Sequence, residues 1–179
     1  MPGAITQWEG TMLIHFQNFF HNAAADRLFT SYTAWGNIGQ IWILLGLALL
    51  FFKKTRRSGI IMLASLLLTH ILNNLIIKQL VMRPRPYDTF EKIRFLVEPL
   101  HDTSFPSGHT ATAFGSAMVL FFRKDGLLRW LPFAAAVLMG FSRLYVGAHY
   151  FTDVLAGALV GTLVAAFCVR LFRRRRLPA

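Results

Sequence analysis

The chain has 179 residues, 55% of them hydrophobic and only 15% charged, with a net charge of +11 and a mean hydropathy of +0.48. That balance excludes disorder and argues against an ordinary soluble domain, and the apolar runs separated by short basic clusters point to a bilayer as solvent. Nineteen Lys and Arg against eight Asp and Glu do not indicate nucleic acid here, because cations strung between apolar spans follow membrane topology. The lone cysteine, Cys168, allows no internal disulfide and no thiolate metal cluster.

In chain order, the first element predicted is an amphipathic helix at the membrane interface, over 1–30. Met12, Phe16, Phe19, Phe20 and Ala23 follow helical spacing, while His15, Gln17, Asn18, His21, Asn22, Asp26 and Arg27 make the stretch too polar to span. Five apolar segments, about 33–52, 58–80, 106–122, 127–148 and 152–172, then meet the length of roughly 17 to 25 residues that a membrane crossing needs. The expectation is an all-α, integral membrane helical bundle of five transmembrane helices in a single domain, 1–179. It comprises the interfacial helix, a bundle over 31–172 and a basic cytoplasmic tail over 173–179.

Cations set the orientation. Lys53, Lys54, Arg56 and Arg57, then Arg123, Lys124 and Arg129, then Arg170 and the arginines of 173–176 all fall on one side of a five-span chain. The other side has Arg27, Arg83, Arg85, Lys92 and Arg94. The richer side marks the cytoplasm, so the C-terminus is expected inside the cell membrane.

Against this background, ionisable residues at membrane depth stand out as functional candidates. They form three groups: Lys78 with Arg83-Pro84-Arg85-Pro86; Ser104-Phe105-Pro106-Ser107-Gly108-His109; and Ser142-Arg143 with His149 and Asp153. The topology brings all three to the outer face. Lys78, Arg85 and Arg143 offer three positive charges suited to phosphate oxygens. Pro106 suits a first helical turn, so the N–H groups of Ser107, Gly108 and His109 are expected to face an oxyanion, and Gly108 leaves room for it. His149 and Asp153, four apart, let the carboxylate hold one ring nitrogen if the stretch is helical, leaving the other to attack phosphorus. His109 then protonates the leaving oxygen. The other seven acids lie near the N-terminus or in loops, which favours chemistry without a metal.

These residues resemble the type 2 phosphatidic acid phosphatase family of membrane lipid phosphatases. The family pattern reads here as Lys78 to Arg85-Pro86, Pro106-Ser107-Gly108-His109, and Ser142-Arg143 to His149 to Asp153, with every position at the family spacing. The resemblance implies a phosphohistidine on His149, Asp153 polarising it, His109 as acid and then base, and Lys78, Arg85, Ser107, Gly108 and Arg143 holding the phosphoryl group, without cofactor or metal. Ser142 is carried over with them, and Arg83 is a second candidate for the phosphate or for a further one.

The implied activity is hydrolysis of phosphatidylglycerol phosphate, phosphatidate or undecaprenyl diphosphate at the outer face. Gly108 stands where many polyprenyl-diphosphate relatives carry Asp, which inclines the expectation towards a glycerophospholipid. Two other readings compete: a phosphotransferase that passes the group to a lipid or sugar, and a membrane protein that only binds anions. His70, Asn73 and Asn74 share a helical face with Lys78, and interhelical hydrogen bonding is the role expected for His70. His101 is expected in a solvated loop. Gly36, Gly39 and Gly46 are expected to permit close packing.

Overall fold

The computed structural model describes residues 3–99, 102–123 and 129–174. His101, Lys124 and the tail beyond 174 lie outside the described residues. Among those described there are helices and connections but no strand.

The expected interfacial helix is two helices, α1 (Ala4–Phe20) and α2 (Ala23–Ala34). The break is local chemistry: Asn22 leaves helical geometry and its side chain accepts from the N–H of Ala25, capping α2. In α1 the usual polarity is inverted. Glu9, Leu13 and Gln17, one helical turn apart, are buried, whereas Ile5, Trp8, Met12 and Phe19 are exposed. Gln17 staples the helix down, donating to the carbonyls of Arg94 (2.8 Å) and Tyr145 (2.9 Å) and accepting from the N–H of Arg94 (3.0 Å).

The first expected span is broken. After α2 the chain makes a single tight turn at Asn37–Gly39, with Ile38 at φ 55° and Gly39 at φ 73°, before α3 (Gln40–Leu50). Left-handed backbone costs Ile38 strain that Gly39 does not feel. The second expected span is a continuous helical run: α4 (Arg56–His70), a π-helical stretch at Ile71–Ile77, and α5 (Lys78–Val81). Met82, also left-handed, ends it, and Pro86 opens the short α6 (Pro86–Thr89). Then come α7 (Gly108–Arg123), α8 (Trp130–Tyr145) and α9 (Phe151–Arg174).

Among the described residues, two stretches, Arg56–Thr89 and Phe151–Phe172, are long and apolar enough to cross a membrane; the pair Ala23–Ala34 and Asn37–Leu50, bent by 53°, makes a third if it counts as one broken span. The helices at the third and fourth expected spans, α7 and α8, have 16 residues each, or about 24 Å at 1.5 Å per residue.

Helix α7 is buried almost all round, with Ala111, Ala113, Gly115 and Ala117 along it, and it forms the centre of the bundle. Its crossing with α9 depends on two glycines four apart. A Cβ on Gly157 would lie 2.6 Å from the carbonyl oxygen of Ser107, and one on Gly161 would lie 2.3 Å from that of Ala111. Small residues let helices approach this closely where lipid supplies no hydrophobic drive. Gly36 and Gly46 do permit close packing, since Cβ atoms there would strike Met139 and His109, and Leu63.

Two contacts orient the bundle. Arg57 donates to the carbonyl of Phe172, and Arg123 donates to Ser58 at 3.1 Å. The start of α4 and the ends of α7 and α9 therefore meet at one end. The end of α5, the starts of α7 and α9 and the end of α8 meet at the other.

Candidate active site

At that second end the three sequence groups converge on one cavity of about 160 Å³ whose lining includes Lys78, Arg85, Gly108, His109 and His149. His149 is 1% exposed and precedes α9, so the helical spacing expected between it and Asp153 is not what joins them. Asp153 lies in the first turn of α9 and reaches back, accepting from the N–H of Tyr150 at 2.9 Å. Its Oδ2 lies 3.6 Å from His149 Nδ1, longer than a hydrogen bond. Ser104 stands between them, donating to Asp153 Oδ2 and lying 3.4 Å from His149 Nδ1. With Nδ1 turned to this pair, Nε2 faces Arg85, 3.4 Å from its Nη1.

Arg85 is held by the carbonyls of Asp102 and Ala148, each at 2.8 Å. Arg143 is 2% exposed and donates to Thr33 at 2.5 Å. Its Nε and Nη2 have no partner among the described residues. A buried guanidinium with unspent N–H groups is costly unless an oxyanion meets them. The carboxylate of Asp102 bridges Lys78 and Arg85, showing that this pair of cations takes an oxyanion. Burial works against the charge on Asp102, but Lys78 and Arg85 outweigh it and hold the carboxyl below its ordinary value.

The second motif departs from its expected geometry. Pro106 follows a cis peptide bond and precedes α7 instead of opening it. The N–H of Ser107 does not point outward; it donates to the carbonyl of Asp153 at 3.0 Å. Ser107 Oγ accepts from the N–H of Thr110 at 3.4 Å, capping the helix, and from Thr110 Oγ1 at 3.0 Å. The donors that helix geometry leaves for an oxyanion are the N–H groups of Gly108 and His109. Ser142 donates to the carbonyl of Met139 at 2.7 Å, within its own helix.

Four residues that meet the site lie outside the family's motif positions, and one of them, Arg83, departs from the phosphate role considered for it. Arg83 is not turned to the phosphate position: Nη1 donates to Asp153 Oδ1 at 2.8 Å, Nη2 to Glu9 at 2.7 Å, and the guanidinium lies 3.9 Å from the centre of the Tyr150 ring. Glu9, fully buried, also accepts from the N–H of Thr152 at 2.8 Å, tying α1 to the start of α9. Ser104 is the third. The fourth is Asn37, whose Oδ1 lies 2.9 Å from His109 Nε2. The polar Gly36-Asn37 step before an apolar run was the available signal for Asn37, whereas nothing local marks Glu9. His70 also differs from expectation, pairing with Asn74 on its own helical run at 2.9 Å and lining the same cavity.

A bundle of apolar helices with a buried histidine beside Arg85 in a cation-lined cavity at one end defines a helical membrane protein. The PAP2 superfamily matches residues 58–177, most of the chain, and the protein belongs to that family. It is 33% identical over 132 residues to an undecaprenyl-diphosphatase of Sulfolobus acidocaldarius, covering 73% of this chain and 63% of that one. It is 30% identical to undecaprenyl-diphosphatase BcrC of Bacillus subtilis, covering 82% of this chain and 74% of that one. The chain thus spans a little under two thirds of the Sulfolobus relative. Among solved structures, Aquifex aeolicus LpxE superimposes with a TM-score of 0.79 at 30% identity, covering 89% of this chain and 94% of that one. A transmembrane PAP2-type phosphatidylglycerolphosphate phosphatase from Bacillus subtilis shares the fold, with a TM-score of 0.78 at 24% identity, over 99% of this chain and 90% of that one.

Proposed function

We propose that the protein hydrolyses the terminal phosphate of a membrane lipid, phosphatidylglycerol phosphate, phosphatidate or undecaprenyl diphosphate, through a phosphohistidine. The observation that carries this reading is His149 Nε2 facing Arg85 at 3.4 Å, in a site where Arg143 keeps two buried nitrogens without a partner. Nε2 attacks phosphorus, the P–O bond to the lipid breaks, and His109 gives its proton to the departing oxygen. His109 then takes a proton from water, whose oxygen attacks phosphorus, and the P–N bond breaks to release orthophosphate. Lys78, Arg85, Arg143 and the N–H groups at the start of α7 hold the equatorial oxygens, their charge opposing the charge that develops there. The phosphoryl group displaces the Asp102 carboxylate from Lys78 and Arg85. Asp153, with Ser104 and Arg83 behind it, keeps the proton of His149 on Nδ1. The acids near the reacting atoms, Asp102, Asp153 and Glu9, are each paired with Lys or Arg, so the chemistry proceeds without a metal.

Purified full-length protein in lipid vesicles should release phosphate from at least one of these three lipids, at the same rate in EDTA. Release from none would overturn the assignment. Loss with chelator and recovery with magnesium would overturn the metal-free mechanism.

The site faces the outside of the cytoplasmic membrane in this proposal, because the cation-rich connections belong to the other end of the bundle. In a Cys168→Ser background, an impermeant thiol reagent on intact cells should label His101→Cys and leave Asp125→Cys unlabelled until the membrane is opened. The reverse pattern would invert the topology.

A further inference from the structure

The cavity extends past the phosphate-binding cations along α4, where His70 and Asn74 form part of its wall. Eight residues separate His70 from Lys78 along the helical run, but side chains on a helix lean towards its N-terminus, so Lys78 leans back towards His70 and both line one space.

The hydrogen bonds fix what His70 presents. The carbonyl of Pro106 can only accept, and it lies 3.4 Å from Asn73 Nδ2, which sets the orientation of that amide. The same nitrogen donates to Asn74 Oδ1 at 3.1 Å, so Asn74 turns its own nitrogen to His70 Nδ1 at 2.9 Å. Nδ1 therefore accepts, and the ring proton sits on Nε2. No described residue is a partner of Nε2. Asn74 also abuts the phosphate-binding turn, since a Cβ on Gly108 would come within 3.0 Å of its Oδ1. The result is an N–H donor held in a set tautomer beside the site of transfer, in a wall already rich in cations.

A donor in this place calls for a ligand rich in acceptor oxygens on the leaving-group side of the scissile bond. In a monoester, the leaving oxygen is followed by carbon. In a diphosphate it belongs to a second phosphate with two further anionic oxygens, which use the Nε2–H donor. We propose that His70, held by Asn74, forms a subsite for the leaving phosphate of a diphosphate ester, so that the enzyme is built for lipid diphosphates. The inference rests on the phosphatase reading above, and it runs against the inclination towards glycerophospholipids suggested by Gly108.

The test compares inhibition of phenyl phosphate hydrolysis by methylenediphosphonate and by methylphosphonate, using the full chain in detergent. The wild type should bind the diphosphonate about tenfold more tightly, the worth of a hydrogen bond to a charged group. His70→Ala should weaken methylenediphosphonate about tenfold and bring the two inhibitors close to parity, while inhibition by methylphosphonate is retained. His70→Gln, which keeps an N–H donor, should restore most of the preference. The proposal is overturned if the wild type shows no preference, if His70→Ala retains it, or if both inhibitors weaken together, as a merely structural role would require. Failure of the phosphatase reading would show separately, as absence of lipid turnover by the wild type.

Discussion

Replacing His149 by alanine should abolish turnover, with a loss on the order of 10⁶ in rate, as when the nucleophile is removed from a catalytic unit that works as a whole. The reason lies in its two ring nitrogens. Nδ1 is spoken for by Asp153 and Ser104, and Nε2 lies 3.4 Å from Arg85 Nη1, so a single atom is placed to form the P–N bond. Arg85 keeps its carbonyl partners and Arg143 its bond to Thr33 without His149. Binding of orthophosphate, read as inhibition in the wild type and by calorimetry in the variant, should therefore change little. Rapid alkaline quench after labelled substrate should trap phosphohistidine in the wild type and none in His149→Ala. An adduct in the variant would move the nucleophile elsewhere.

The second large effect is expected at His109, where it should depend on the leaving group. General acid catalysis contributes roughly 10²–10⁴ in rate, and it matters most when a poor alkoxide must depart from a lipid monoester. An aryl oxygen leaves without a proton. His109→Ala should lose most of that factor on phosphatidate and far less on an aryl phosphate, with phosphohistidine still trapped from the aryl ester. Asn37 Oδ1 lies 2.9 Å from His109 Nε2, which leaves Nδ1 as the nitrogen that gives and takes the proton. Equal defects on both substrates would remove His109 from the acid's role.

The site was readable in the sequence to the extent that its residues sit at set distances within short motifs. Lys78, Arg85, His109 and His149 reach a common cavity because each lies near the same end of a helix, and helix direction follows from apolar runs and the cations that end them. The same logic misled at Pro106 and at His149. Local rules place Pro106 in a first helical turn and allow a helical pairing of His149 with Asp153, yet both residues precede the helices α7 and α9. A proline or an i,i+4 pair is compatible with either side of a helix start, and only the surrounding packing decides between them.

The sequence by itself determined the all-helical class, the apolar runs, the cation asymmetry and the three motif groups from which the site is proposed, since all of these are properties of composition and short-range spacing. The tertiary structure decided what those residues face. Arg83 and Arg85 are two apart and each is followed by proline, yet one pairs with Glu9 and Asp153 and the other with Asp102 and His149. The left-handed Met82 and the extended Arg85 at the start of α6 send the two guanidiniums to different sides of His149. Glu9, Asn37 and Ser104 enter the site from elements 40 or more residues away from the residues they serve. Such pairings are set by how α1 and α2 pack against α8 and the Asn37–Gly39 turn against α7, and a buried charge or amide then takes the partner that this packing brings within reach.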